Sequence, residues 1–260
     1  MTNQSETQTK TYNPRVERIE KVWTPEAKLL VPYNASEIAF ASPAFGSNTY
    51  IKVGKDILSK NLKVPIGDYT ASLLHPAYCN SEIKDEPEFK KVRDITESNW
   101  LWIYNRNLWD GNGVYVFQDL EAIGRSQPLD INELERMLKG GKEINGIRFS
   151  GDGRVRFAPK ETYRLGEHTP ESFAKDGVII ASCGQEGAEK LGEVSAEFES
   201  NPYIYGVKVQ EGQAPEQRVS AVDESGGRLR FIGDDFDGRL RFYGDDFDGD
   251  DRGRAFGVLK

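Results

Sequence analysis

Cysteine, histidine and methionine are nearly missing from this chain, with two of each among 260 residues. Cys79 and Cys183 stand far apart, which is neither a secreted disulfide framework nor a zinc pattern, so a reduced compartment is expected. His75 and His168 cannot combine with them at any of the usual paired-ligand spacings, and no metal site is expected. The first ten residues lack an apolar signal region, and no stretch approaches the roughly 18 apolar residues of a membrane span. No membrane span and a cytoplasmic location are the expectation. There is no long Lys/Arg block and net charge is −8, so non-specific attraction to nucleic acid is not expected. No Gly-x-Ser-x-Gly elbow occurs, and Gly111-Asn-Gly113 and Gly151-Asp-Gly153 read as hairpin turns rather than phosphate cradles, since neither precedes a helix. No cofactor and no enzymatic activity are predicted. Paired carboxylates are too abundant to single out a glycosidase pair.

What is present is enough apolar material, 37%, to build a core. Residues 1–25 are polar and read as a mobile tail, with one domain over 26–260. From Leu29 to Asn48 the Pro, Gly and Asn punctuation suggests irregular structure. Phe89, Val92 and Ile95 recur at helical spacing within Asp85–Ser98, ahead of a buried strand at Trp100–Tyr104. Asn112-Gly113 turns the chain into Val114–Phe117, making a hairpin whose loop would hold Asn105, Arg106, Asn107 and Trp109. Asp130 caps a predicted helix that ends at Gly140-Gly141. Strands are expected at Gly146–Phe149, Val155–Phe157, Val178–Ala181 and Pro202–Val209, and a helix over Gly187–Phe198. Strand–helix alternation at fixed spacing is lacking, which argues for α+β rather than a doubly wound sheet.

The most informative feature is a direct repeat. Gly227-Arg-Leu-Arg-Phe-Ile-Gly-Asp-Asp-Phe-Asp237 is followed at once by Gly238-Arg-Leu-Arg-Phe-Tyr-Gly-Asp-Asp-Phe-Asp248, and only Ile232 and Tyr243 differ. Near-identity points to a recent duplication, and two copies are too few for a solenoid. Within each copy Leu and Phe alternate with Arg, the period of a half-buried strand, so Leu229, Phe231, Leu240 and Phe242 should face a core while Arg228, Arg230, Arg239 and Arg241 are displayed. The Gly-Asp-Asp-Phe-Asp segments are turn chemistry. A calcium loop through Asp246, Asp248 and Asp250 fails on its own terms, because Asp251 stands where the sharp-turn glycine belongs and Gly257 where the closing Glu belongs. A solvated acidic turn is the plain alternative. Arg forks, Asp acceptors and Tyr/Phe area are instead the residue types of recognition surfaces.

Arg218-Val-Ser-Ala-Val, the Gly/Asp/Arg/aromatic stretch after it, and Gly253-Arg-Ala-Phe-Gly-Val258 together resemble the closing strands of C-type-lectin-like domains of the formylglycine-enzyme branch. More narrowly, they resemble the variable proteins of diversity-generating retroelements, archaeal ones in particular. The likeness spans residues 218–260, with fainter echoes in Trp100–Trp109. It implies a C-type-lectin-like fold of short antiparallel strands, two or more helices and much irregular structure. It also implies a non-enzymatic ligand-binding display protein whose hypervariable region, 218–260, is rewritten to meet varied macromolecular targets, most simply by protein–protein interaction. Leu229, Phe231, Leu240, Phe242, Phe256 and Val258 would then be fixed core positions, and Asp223, Ile232, Tyr243, Asp250 and Arg252 outward, varied ones. The full contact set expected is Asp223, Arg228, Arg230, Ile232, Asp234, Asp235, Phe236, Asp237, Arg239, Arg241, Tyr243, Asp245, Asp246, Phe247, Asp248, Asp250, Asp251, Arg252 and Arg254. The catalytic cysteines of formylglycine-generating relatives have no counterpart after Cys183. Two other readings stay open: an enzyme or carbohydrate-binding domain with its site among Trp102, Asn105, Arg106 and Trp109, and a module that self-associates through strand edges.

Overall fold

The structure, a computed structural model, describes residues 12–18, 27–225, 238–245 and 252–260. Chain order runs β1 (Arg15–Arg18), β2 (Ala27–Tyr33), β3 (Ser36–Ser42), β4 (Phe45–Asn48), α1 (Tyr50–Ser59), α2 (Gly67–Cys79), α3 (Pro87–Ser98), β5 (Leu101–Trp109), β6 (Gly113–Gln118), α4 (Ile131–Leu138), β7 (Lys142–Ile144), β8 (Ile147–Phe149) and β9 (Val155–Pro159). It continues with β10 (Gly166–Glu167), α5 (Pro170–Ala174), α6 (Gly177–Ser195), β11 (Tyr203–Tyr205), β12 (Glu216–Ser225), β13 (Arg239–Asp245) and β14 (Gly253–Ala255). The class is α+β. β1, β2 and β3 form a small sheet; the large one has the order β10-β11-β13-β12-β5-β6-β9-β8-β7, with β14 joined to β5 and β4. Every pairing is antiparallel except β11 with β13 and β14 with β5.

The predicted helices at Asp85–Ser98 and after Asp130 form as α3 and α4, the second with the Asp130 carboxylate accepting from the Asn132 N–H at 2.8 Å. Several expectations are overturned. Arg15–Arg18 of the supposed tail is a strand on β2, held also by Arg15 on Glu37 at 2.7 Å and Arg18 on Glu88 at 2.8 Å. The stretch read as irregular is the hairpin β2–β3, turned by Asn34 at φ 50°, a left-handed conformation that Asn tolerates. Pro32 fits within β2 because the β1 pairing stops at Leu30, so its missing N–H faces no strand.

Val178–Ala181 is the first part of helix α6 rather than a strand. Asp176 accepts from the Val178 N–H at 2.9 Å and starts the helix, and Val178, Ile179, Ile180 and Ala181 are all buried. A helix buried all round reads as an unbroken apolar run, so period cannot separate it from a buried strand. The helix breaks at Gly184 (φ 72°, ψ 170°). Arg156 Nη1 donates to Ala181 O at 3.2 Å and Asn105 Nδ2 to Ser182 O at 2.9 Å, while Arg156 Nη2 also meets Asp68 at 2.8 Å. The carbonyls freed by the break are thereby satisfied.

Asn105, Arg106, Asn107 and Trp109 are not a loop. All four are buried within β5, because the sheet there is covered on both faces: α2, α3 and α6 pack on one, α1 on the other. Asn107 Nδ2 donates to Ser220 Oγ at 2.8 Å and Arg106 Nη1 to Gln127 O at 2.9 Å, while Asn105 Oδ1, Asn107 Oδ1, Arg106 Nε and Trp109 Nε1 are buried without a hydrogen-bond partner among the described residues. No helix among the described residues is long and apolar enough to cross a membrane.

A candidate binding face on the C-terminal strands

The second repeat copy becomes β13, an interior strand between β11 and β12. Leu240 and Phe242 are fully buried against the helical side, as the alternation predicts. Phe256 and Val258 are core residues too. Arg239, Arg241 and Tyr243 therefore share the opposite face. Register then composes a site. Asp223 on β12 lies opposite Arg241, and Ala221 opposite Tyr243. From β11, Tyr203 aligns with Arg241 and Tyr205 with Tyr243, and Glu167 of β10 aligns with Tyr203.

The aromatic groups form a continuous row. Tyr203 and Tyr205 ring centroids are 4.3 Å apart, Tyr205 stacks on Tyr243 at 4.8 Å with planes 7° apart, and Trp100 meets Tyr243 edge-on at 4.8 Å. Around them, Arg239 pairs with Glu167 at 3.3 Å and lies 5.9 Å from the Tyr203 centroid, and Arg241 Nη1 approaches the Tyr243 hydroxyl at 3.3 Å.

Two expected display positions are corrected. Asp223 and Tyr243 are 2% and 4% exposed, so neither points outward. Small Ala221 opposite Tyr243 leaves room for its ring to lie down on Trp100 and Tyr205, and the Tyr243 hydroxyl then bonds to the Asp223 carboxylate. Burial pushes the Asp223 carboxyl up to about 7, against the opposing pull of the Arg241 charge and the Tyr243 hydrogen bond. Burial likewise lifts the Tyr243 phenol far above its ordinary value. Arg241 itself is raised: burial alone would lower it, but Tyr243 and the Asp223 charge outweigh that. The site thus has a buried floor of Trp100, Asp223 and Tyr243, and a half-buried rim of Arg239, Arg241, Tyr203 and Tyr205.

Of the other contacts expected from sequence, Asp245 ends β13 opposite Val219. Arg254 is on β14, where its backbone N–H donates to Trp100 O at 2.7 Å and its Nη1 to Gly46 O at 2.9 Å, and Arg252 directly precedes that strand. Arg228, Arg230, Ile232, Asp234, Asp235, Phe236, Asp237, Asp246, Phe247, Asp248, Asp250 and Asp251 lie outside the described residues, as do the expected core positions Leu229 and Phe231. Tyr203, Tyr205, Trp100 and Glu167 were missed by sequence reasoning. Tyr203-Ile-Tyr205 did carry the same alternation as β13, but its parallel pairing with β13 is non-local.

Other chemistry is sparse. Ser172 Oγ lies 3.3 Å from His168 Nδ1, and His168 Nε2 is 3.8 Å from Asp176. That serine also bonds to Thr169 O at 3.1 Å, the His168 ring to Arg164 O at 2.7 Å, and His168 is buried, which reads as a cap on α5 rather than a nucleophile and base. His75 pairs with Glu193 at 2.6 Å, and among the described residues no His/Cys/Asp/Glu group could hold a metal ion. No protein-family model, no curated protein and no solved structure matches the chain.

Proposed function

We propose that this chain is a non-enzymatic binding protein of C-type-lectin-like type. Its C-terminal region, 218–260, is diversified by a retroelement to present varied contact residues to macromolecular targets, and those targets are proteins. One observation supports the reading: within a single repeat copy, β13 alternates buried core side chains with others on the opposite face. Leu240 and Phe242 anchor the core, while the alternate positions Arg239, Arg241 and Tyr243 join Tyr203 and Tyr205 on one face. Rewriting at the half-buried Arg239 and Arg241 alters contacts and leaves the packed interior alone, whereas Tyr243 beside them belongs to the buried floor. Arg and Tyr on that face supply the area and hydrogen bonding typical of recognition hot spots. The rival site among Trp102, Asn105, Arg106 and Trp109 is disfavoured by burial, since each is at most 5% exposed.

The test is to sequence the genomic DNA flanking the gene. A nearby reverse transcriptase and a near-copy of the codons for 218–260 that differs only at adenines is the expected result. An intact flank with neither would overturn the retroelement reading.

A further inference from the structure

We infer that a second, separate site lies where residues 160–165 run beside 207–210, and that it binds a small organic carboxylate with an apolar body. A cavity of about 430 Å3 opens there, within the size range of small-molecule pockets. Its apolar lining is Tyr163, Leu165, Val207 and Val209, of which Val209 is buried and the others half-buried. This floor is firmly backed: Tyr163 packs edge-on against fully buried Trp109 at 5.7 Å, and the same indole closes on Gly206 so tightly that a Cβ there would lie 2.6 Å from it.

The charged groups at the cavity are Lys160, Arg164 and Lys208, with no carboxylate among its lining residues. In a chain carrying 42 acidic and 34 basic residues, an all-cationic rim runs against the average charge. Lys160 and Lys208 are exposed and form no ion pair among the described residues. Nor do the Lys208 and Val209 backbone N–H groups make a hydrogen bond among those residues. Unspent donors of one sign above a rigid apolar floor match a ligand with an anionic head and an aromatic or short aliphatic body. Because the pocket lies off the tyrosine face, this inference stands or falls apart from the proposed display role.

The probe is 4-phenylbutyrate, titrated into isotope-labelled full-length protein and read by amide chemical shifts. The expected result is saturable shifts confined to 160–165 and 207–210, with Kd on the order of 1 mM or tighter. Binding of the neutral 4-phenylbutanol, or of 4-phenylbutyrate to the exposed-residue double variant Lys160→Gln/Lys208→Gln, should be about tenfold weaker, the loss expected when charge-assisted donors are removed. Shifts that do not saturate or map elsewhere would overturn the site. So would equal binding of the alcohol, full binding by the double variant, or equal competition by inorganic phosphate, which lacks the apolar body.

Discussion

Asp223 on β12 and Arg241 on β13 face each other across an antiparallel pair, the carboxylate almost wholly buried and the guanidinium half-buried. Their strand neighbours put Trp100, Tyr203, Tyr205 and Tyr243 around the pair, so a carboxyl and a guanidinium sit within an aromatic row. That placement makes several properties of the protein measurable.

The first concerns pH. Burial raises the Asp223 carboxyl from 3.8 to about 7, with Arg241, Tyr243 and Glu224 as the groups that act on it. A carboxyl that binds its proton more tightly when folded stabilises the fold below about pH 4, and that contribution is lost as pH rises toward 7. Asp223→Asn should remove this term. Relative to the parent, the variant should gain stability at about 1.4 kcal/mol per pH unit across that window, as an upper figure. Urea unfolding at pH 4, 5, 6 and 7 reads it, and a constant difference between the two proteins would contradict the assignment.

The second tests the two faces of β13. Phe242→Ala should cost about 3–5 kcal/mol, as deletion of a fully buried ring does. Arg239→Ala, on the half-buried rim, should fall within roughly 0.5–1 kcal/mol. Denaturant midpoints compare them, and similar losses would mean that the alternation does not divide scaffold from display.

A third addresses the break in α6. Gly184→Ala forces a side chain to adopt φ 72° and places its Cβ 2.7 Å from Asp68 Oδ2, so a loss of about 1–3 kcal/mol is expected. Arg156→Ala strips Asp68 of its partner and Ala181 O of a donor, with about 3–5 kcal/mol lost. Thermal unfolding checks both. An unchanged melting temperature for Gly184→Ala would show that the helix does not need this kink.

The fourth is chemical. Burial pushes the half-buried Cys79 thiol up to about 12 and raises the fully buried Cys183 thiol still further above its ordinary value. The thiolate is the reacting form, so iodoacetamide at pH 7.5 should leave both unmodified in the native protein and label both in guanidinium. Rapid native labelling at either position, counted by mass, would contradict the burial described.

Local pattern alone placed several elements. The apolar spacing of Phe89, Val92 and Ile95, the Asp130 cap, the turn at Gly151-Asp-Gly153 and the Leu240/Phe242 alternation all report forces acting within a few residues, and each corresponds to an observed element. The sequence by itself also determined the α+β class and the repeat, which is a fact of order alone. It did not decide that Val178–Ala181 is helical, that Asn105–Trp109 lies inside a sheet covered on both faces, or that Arg15–Arg18 is a strand. In each case burial or a strand partner far along the chain outweighs a weak local preference. The binding face is a tertiary product in the same sense. Only the parallel register of β11 on β13 brings Tyr203 and Tyr205 to Arg241 and Tyr243, and only the packing of Tyr243 on Trp100 turns an expected display residue into a buried one.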